Sequence, residues 1–188
     1  MTKFALLKVL LPITLLSGCR MHDSGVTVQS LLENEGPTSE SWDPVMHISE
    51  NGLPRLRMEA SYMANYERID STFMVLSSLE GRSDRVRVDI FDTKGDSSAT
   101  VFANRITYYQ RDRRFTAEGN VVVESEGSRF LYAEHLVWSE QSARVHTPGF
   151  ATIVTPKETL SGYEFDADEN LYDFSLKDVQ GTLISEDE

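Results

Sequence analysis

One side chain in this 188-residue chain sits where covalent chemistry is expected. Cys19, the sole cysteine, follows Leu16-Ser17-Gly18, behind an apolar run from Val9 to Leu16 and the basic Lys3 and Lys8. That order predicts a bacterial lipoprotein signal peptide over residues 1–18, with lipid attached at Cys19. The run is too short to span a bilayer, which takes about 20 apolar residues, and Lys8 and Pro12 interrupt it. A lone cysteine also removes any disulfide framework and any cysteine-based metal cluster. His22, His47, His135 and His146 lack metal-ligand spacing, and Glu134-His135 lacks the rest of a zincin motif. There is no Gly-x-Ser-x-Gly elbow and no phosphate-binding loop. Asp166-Ala167-Asp168-Glu169-Asn170 opens like a calcium loop, but Leu171 and Lys177 stand where Gly and Glu are required. Arg111, Arg113 and Arg114 could meet phosphates, although Asp112 among them makes a solvated turn the simpler account. No catalytic residue, metal site or cofactor is expected, and the chain reads as a non-enzyme.

Charge narrows the partners. The formal net charge is −12, and removing residues 1–18 takes away two lysines and no acids, leaving about −14. A strongly acidic chain lacks the basic footprint that nucleic acid selects, and it is not suited to lying flat on an anionic membrane. An anionic amphiphile would have to be gripped through its apolar part.

The elements that carry these residues repeat. Ala103 to Tyr108 leads sixteen positions on to Gly119-Asn120-Val121, Ala133 to Trp138 leads to Gly149-Phe150-Ala151, and a third copy runs from Gly162 through Phe165 to Asp178. Offsets of thirty and twenty-nine residues indicate one supersecondary unit stacked on copies of itself, burying or presenting one continuous apolar strip. Val86, Val88 and Ile90 alternate with Arg85, Arg87 and Asp89, which is the period of a half-buried strand. Phe115, Ala117, Gly119, Val121 and Val123 share one strand face, with Thr116, Glu118, Asn120 and Glu124 on the other. Residues 91–96, 124–128, 139–142 and 166–170 are expected as turns, and Gly95 supplies a positive φ. Ala103 and Ile106 are separated by an odd number of positions, so a bend must lie between them if both point inward. No window from 53 to 184 has a helical period with caps. Residues 19–52 are polar and rich in turn formers, and they are expected as a flexible tether from the lipidated Cys19, with a short ordered patch at 45–48. An all-β domain is expected over 53–184 and an acidic tail over 185–188.

Phe91-Asp92-Thr93-Lys94-Gly95, then Val101 to Tyr108, then Gly119-Asn120-Val121 resemble the LptC family of lipopolysaccharide-export proteins and the related LptA/OstA repeat. The resemblance covers roughly residues 55 to 183. It implies a single twisted, V-shaped antiparallel β-jelly roll whose walls enclose an open apolar groove. It implies passage of lipopolysaccharide from an inner-membrane ABC transporter with LptF/LptG-like jelly rolls to an LptA-like bridge protein. It places the domain on the periplasmic side of the inner membrane, held by lipid, with the outer membrane left open as the site of the anchor. Family members with an N-terminal membrane helix differ here, since Cys19 stands in its place.

On that resemblance, the groove candidates are Ile106, Phe115, Val121, Val123, Leu131, Leu136, Val145, Ile153, Phe165, Phe174 and Leu176. Taken singly, each is better explained by core packing, and it is the resemblance that makes the set a groove. Tyr108 and Trp138 occupy equivalent positions, where they could stand at a groove mouth or simply pack. Partners would add strands at sheet edges. The candidates are Arg55, Leu56, Arg57 and Met58 near one edge, within Arg55 to Tyr62, and Val179, Gly181 and Leu183 at the other, within Phe174 to Leu183. The alternative is an adaptor lipoprotein of the same fold that docks proteins by strand addition and carries no lipid.

Overall fold

The computed structural model describes residues 36–79 and 84–183. The segment expected as a signal peptide, Cys19 and the residues expected as an acidic tail lie outside the described residues. Thirteen antiparallel strands form one unclosed sheet, without a helix among the described residues. They are β1 (Ser39–Trp42), β2 (Val45–Glu50), β3 (Leu53–Glu59), β4 (Tyr62–Glu67), β5 (Thr72–Ser77), β6 (Val86–Phe91), β7 (Ser97–Ala103), β8 (Arg105–Tyr109), β9 (Arg114–Ser125), β10 (Arg129–Ser139), β11 (Arg144–Val154), β12 (Glu158–Asp168) and β13 (Phe174–Leu183).

The pairing is that of a meander of bent strands. β8 pairs the first half of β9 and β7 pairs the second half of the same edge, so β7 and β8 are successive halves of one strand interrupted at Asn104. β1 pairs β4 while β2 pairs β3, and the register runs on through the kink from Trp42↔Tyr62 to Val45↔Glu59. Asp43 donates its N–H to the Ser61 carbonyl at 3.0 Å inside that kink. Four such divided strands and the five long ones, β9 to β13, give nine bent strands in chain order.

Each bend sends the two halves of a strand into different layers. The first layer holds β1, β4, β5, β8 and the halves of β9–β13 next to the turns at 110–113, 140–143 and 169–173; the second holds β2, β3, β6, β7 and the other halves. The bends fall at Asn104, Gly119, Glu134, Gly149, Glu164 and Asp178, spaced fifteen residues apart and fourteen at the last step. Gly119 and Asn120 have φ of 76° and 49°, Glu164 51° and Asp178 52°, and the ladders slip by one residue at these places. Such two-against-one bulges kink a strand without ending its pairing. A Cβ on Gly119 would stand 2.8 Å from Asn104 Nδ2, so glycine is required there by both space and φ.

The bend expected between Ala103 and Ile106 is present, and both residues are fully buried. The thirty-residue period is one bent hairpin, and its turns recur at 110–113, 140–143 and 169–173. Asp166 to Asp168, expected in a turn, continue β12 instead. Ser39 to Glu50, expected within the tether, form β1 and β2. Their pattern is too polar to read as a core strand, because an edge strand buries only one flank and β2 alternates exposed and half-buried positions.

Candidate functional site: the buried strip and its open edges

Inward-facing residues line up across the strands in registered rows. In the second layer Met46, Met58, Val88, Val101, Val123, Leu131, Ile153 and Leu160 are successive cross-strand partners. In the first layer Met74, Tyr108, Phe115, Trp138, Val145, Ala167 and Phe174 are likewise successive partners. Both rows belong to a single apolar cluster between the layers. The repeat therefore built a strip, as its period required.

Of the groove candidates, Ile106, Phe115, Val121, Val123, Leu131, Leu136, Val145, Ile153 and Phe165 are 0–1% exposed, packed on one another; Phe174 and Leu176 are half-buried against them. Phe115 stacks on Trp138 with centroids 5.1 Å apart, and Phe165 on Phe174 at 5.9 Å. The interior is thus filled by the protein's own side chains. Tyr108 and Trp138 are buried rather than wet. Trp138 donates its indole N–H to Glu169 Oε1 at 2.8 Å, and burial raises the Tyr108 hydroxyl's pKa.

Polar contacts close the far mouth, where the first-layer hairpin turns meet the second layer. Arg55 Nε donates to Glu140 Oε1 at 3.2 Å, with both side chains about 5% exposed. Arg55 Nη1 also donates to the Phe91 carbonyl. Arg113 bridges Glu140 at 2.9 Å and Glu50 at 2.7 Å, so the expected solvated arginine turn is tied down at this one position. Arg114 instead stacks over Tyr109 and pairs Asp112 at 3.3 Å. Ser98 Oγ donates to Asn170 Oδ1 at 2.8 Å, and Ser125 Oγ to the Asn170 carbonyl at 2.9 Å. Desolvation pushes the Glu169 carboxyl above the usual range, partly opposed by the Trp138 hydrogen bond and the charge of Arg55. Nothing in the sequence marks Arg55, Glu140 and Glu169 as one group, since they come from separate hairpins more than twenty residues apart.

The edges are unequal to expectation. β3 pairs β2 on one side and β6 on the other, so Arg55, Leu56, Arg57 and Met58 are interior to the sheet; Leu56 and Met58 are buried at 1% and 0%. The edge at that end is β1 and β2, which pair only β4 and β3 among the described residues. Tyr62, also inside the expected edge segment, pairs both Trp42 and Ser77. At the other end β13 pairs only β12 among the described residues, and Val179 and Gly181 lie on it, exposed. Leu183 holds register with Glu158. Each edge runs through both layers and, among the described residues, presents an unpaired backbone ladder; the second-layer row reaches β2 at one edge and the first-layer row reaches β13 at the other.

An open, bent, antiparallel sheet with an apolar interior and, among the described residues, two free edges is a β-jelly roll. Among solved structures the chain is similar to LptH from Pseudomonas aeruginosa, described as the LptA-homologous periplasmic component of the conserved lipopolysaccharide transport device. The TM-score is 0.51 at 14% identity, over 74% of this chain and 100% of that one, so the likeness is one of fold. No family model and no curated protein matches the sequence.

Proposed function

We propose that this protein carries lipopolysaccharide across the periplasm, as a non-enzymatic LptC-like component anchored by lipid at Cys19. It receives the lipid from the jelly rolls of an inner-membrane ABC transporter and passes it to an LptA-like bridge. The observation that supports this reading is the strip itself: one registered apolar row runs from β2 to β12 and the other from β5 to β13, so between them they reach both edge strands of the sheet. Acyl chains need an apolar path, while their charged sugars stay in water, so the acidic balance of the chain need not meet them. Strand addition at β1/β2 and at β13 would extend the two walls into a neighbour's. Docking at that end falls to β1 and β2, with Arg55 to Met58 one strand behind.

Loading requires the layers to part, because the candidates along the strip are packed. Photo-crosslinkers at Val123 and Leu136 are expected to capture lipopolysaccharide in cells, whereas the exposed Glu118 and Glu124 are not. Equal labelling of both faces overturns the reading. The filled interior favours the second reading, a protein adaptor without cargo; there, cysteine pairs across the β13 edge crosslink a partner while interior crosslinkers capture no lipid.

A further inference from the structure

The outer face of the second layer, on the side of the sheet opposite the buried strip, carries aromatic residues at positions whose strand parity should be polar. Tyr132, Phe150 and Tyr163 are 45%, 54% and 50% exposed. They continue a registered outer row in which Phe102, Val122, Tyr132, Thr152 and Ser161 are successive cross-strand partners. Phe150 and Tyr163 oppose each other at the bend, edge to face, with centroids 5.4 Å apart. A cleft of about 550 Å³ lies over this surface, and Asn120, Glu134 and Arg85 join Tyr132, Phe150 and Thr152 in lining it. Thr152 and Ser161 share a hydroxyl–hydroxyl contact at 2.8 Å. Arg85 lies over the Phe102 ring at 5.8 Å and gives one N–H to the Phe102 carbonyl, while its buried Nε has no hydrogen-bond partner.

We propose that this cleft binds an extended oligosaccharide chain that approaches the sheet from outside. Sugar rings have one face of C–H groups, weakly positive, and a rim of hydroxyls. Aromatic faces are electron-rich and attract such C–H groups, and the interleaved hydroxyl, amide, carboxylate and guanidinium groups match the rim. A lipid surface or acyl chain leaves those polar groups unsatisfied, and a dry protein interface depletes charge at its centre, where Arg85 and Glu134 stand. The cleft itself is lined from β9 to β11, two inter-strand steps or about 10 Å at the usual strand spacing, and the outer row continues on either side of it, which suits several linked rings rather than one. The cleft opens away from the buried strip, so its occupant is a separate glycan strand and not the sugars of a lipid held between the layers. The inference does not depend on lipid carriage.

Chitotetraose titrated into the full chain and followed by NMR is expected to give saturable shifts confined to the strands bearing Phe102, Tyr132, Phe150 and Tyr163. Tyr132→Ala and Phe150→Ala each weaken binding about tenfold, while Tyr132→Phe keeps most of it. Both alanine variants keep a cooperative urea transition, with the midpoint lowered by at most about 0.5 M, since the side chains are half-exposed. The absence of saturable shifts, shifts elsewhere, or alanine variants that bind like wild type overturn the proposal. Tighter binding of lipid-free lipopolysaccharide core oligosaccharide than of chitotetraose overturns the assignment of the occupant. Interior photo-crosslinking to lipid is measured on the same variants and is expected to be unchanged, so failure of either idea is seen separately.

Discussion

Arg55→Met tests whether the polar closure holds the two layers together. The arginine is 4% exposed, its Nε reaches Glu140 at 3.2 Å, and it also holds the Phe91 carbonyl. Methionine keeps much of the apolar stem and removes only the charge and donors. Deleting one member of a buried pair costs about 3–5 kcal/mol, because the other is left as an uncompensated buried charge. Here Arg113 remains on Glu140 at 2.9 Å from the exposed side, which brings the expected loss to the lower end, about 3 kcal/mol. With a urea m-value of about 2 kcal/mol/M, the midpoint falls by about 1.5 M. Arg55→Met/Glu140→Leu removes both charges, and stability then returns to within about 1 kcal/mol of wild type, as apolar replacement of a buried pair is often neutral. A single-variant loss under about 1 kcal/mol, or a double variant as unstable as the sum of the singles, refutes the closure. On the lipid reading, Arg55→Met also loads cargo faster at Val123.

Thr147 Oγ1 is buried without a hydrogen-bond partner, so Thr147→Val is expected to stabilise by about 1 kcal/mol in urea melts, and a loss of stability counts against that accounting. Glu169 titrates above its unfolded pKa of 4.5, so its contribution is fully present below 4.5 and is lost as pH rises through the folded value. Glu169→Gln keeps an acceptor for Trp138 and is expected to flatten that part of the stability–pH curve; an unchanged slope refutes the assignment. A Cβ on Gly162 would lie 2.5 Å from the Lys177 carbonyl oxygen, so Gly162→Ala is expected to detach β13 and raise hydrogen exchange in residues 174–183 before the rest of the sheet.

The sequence carries the strand face of β9 and the thirty-residue period openly, because Phe115, Ala117, Val121 and Val123 alternate with polar neighbours and recur in later copies. The odd spacing from Ala103 to Ile106 revealed the bend for the same reason. β1 and β2 were hidden, since an edge strand with one wet flank needs few apolar residues, and Ser39-Glu40-Ser41 looks like any linker. That hidden pair moves the sheet edge one strand outward from the segment expected to form it. Arg55–Glu140 joins residues 85 positions apart, which no local pattern discloses. The outer aromatics were visible as residues but not as a row, because a row exists only once register is known.

The fifteen-residue spacing of the bends explains why one strip has two walls. A flat strand that alternates faces would show one wall to the core along its whole length. Here one residue in about fifteen is spent on a bulge, and the halves either side lean into different layers while still facing inward. In β10 the inward set changes parity across Glu134, from Leu131 to Leu136 and Trp138, whereas β9 keeps parity by inserting two residues, Gly119 and Asn120. From β9 to β12 the two solutions alternate strand by strand, so each of these ladders has one extra residue on one strand at the crease, whereas the β12–β13 ladder slips and returns to its register. A neighbour that extends the strip must therefore bring a strand bent at the same height, which restricts docking partners to chains with this crease and excludes a simple straight edge strand.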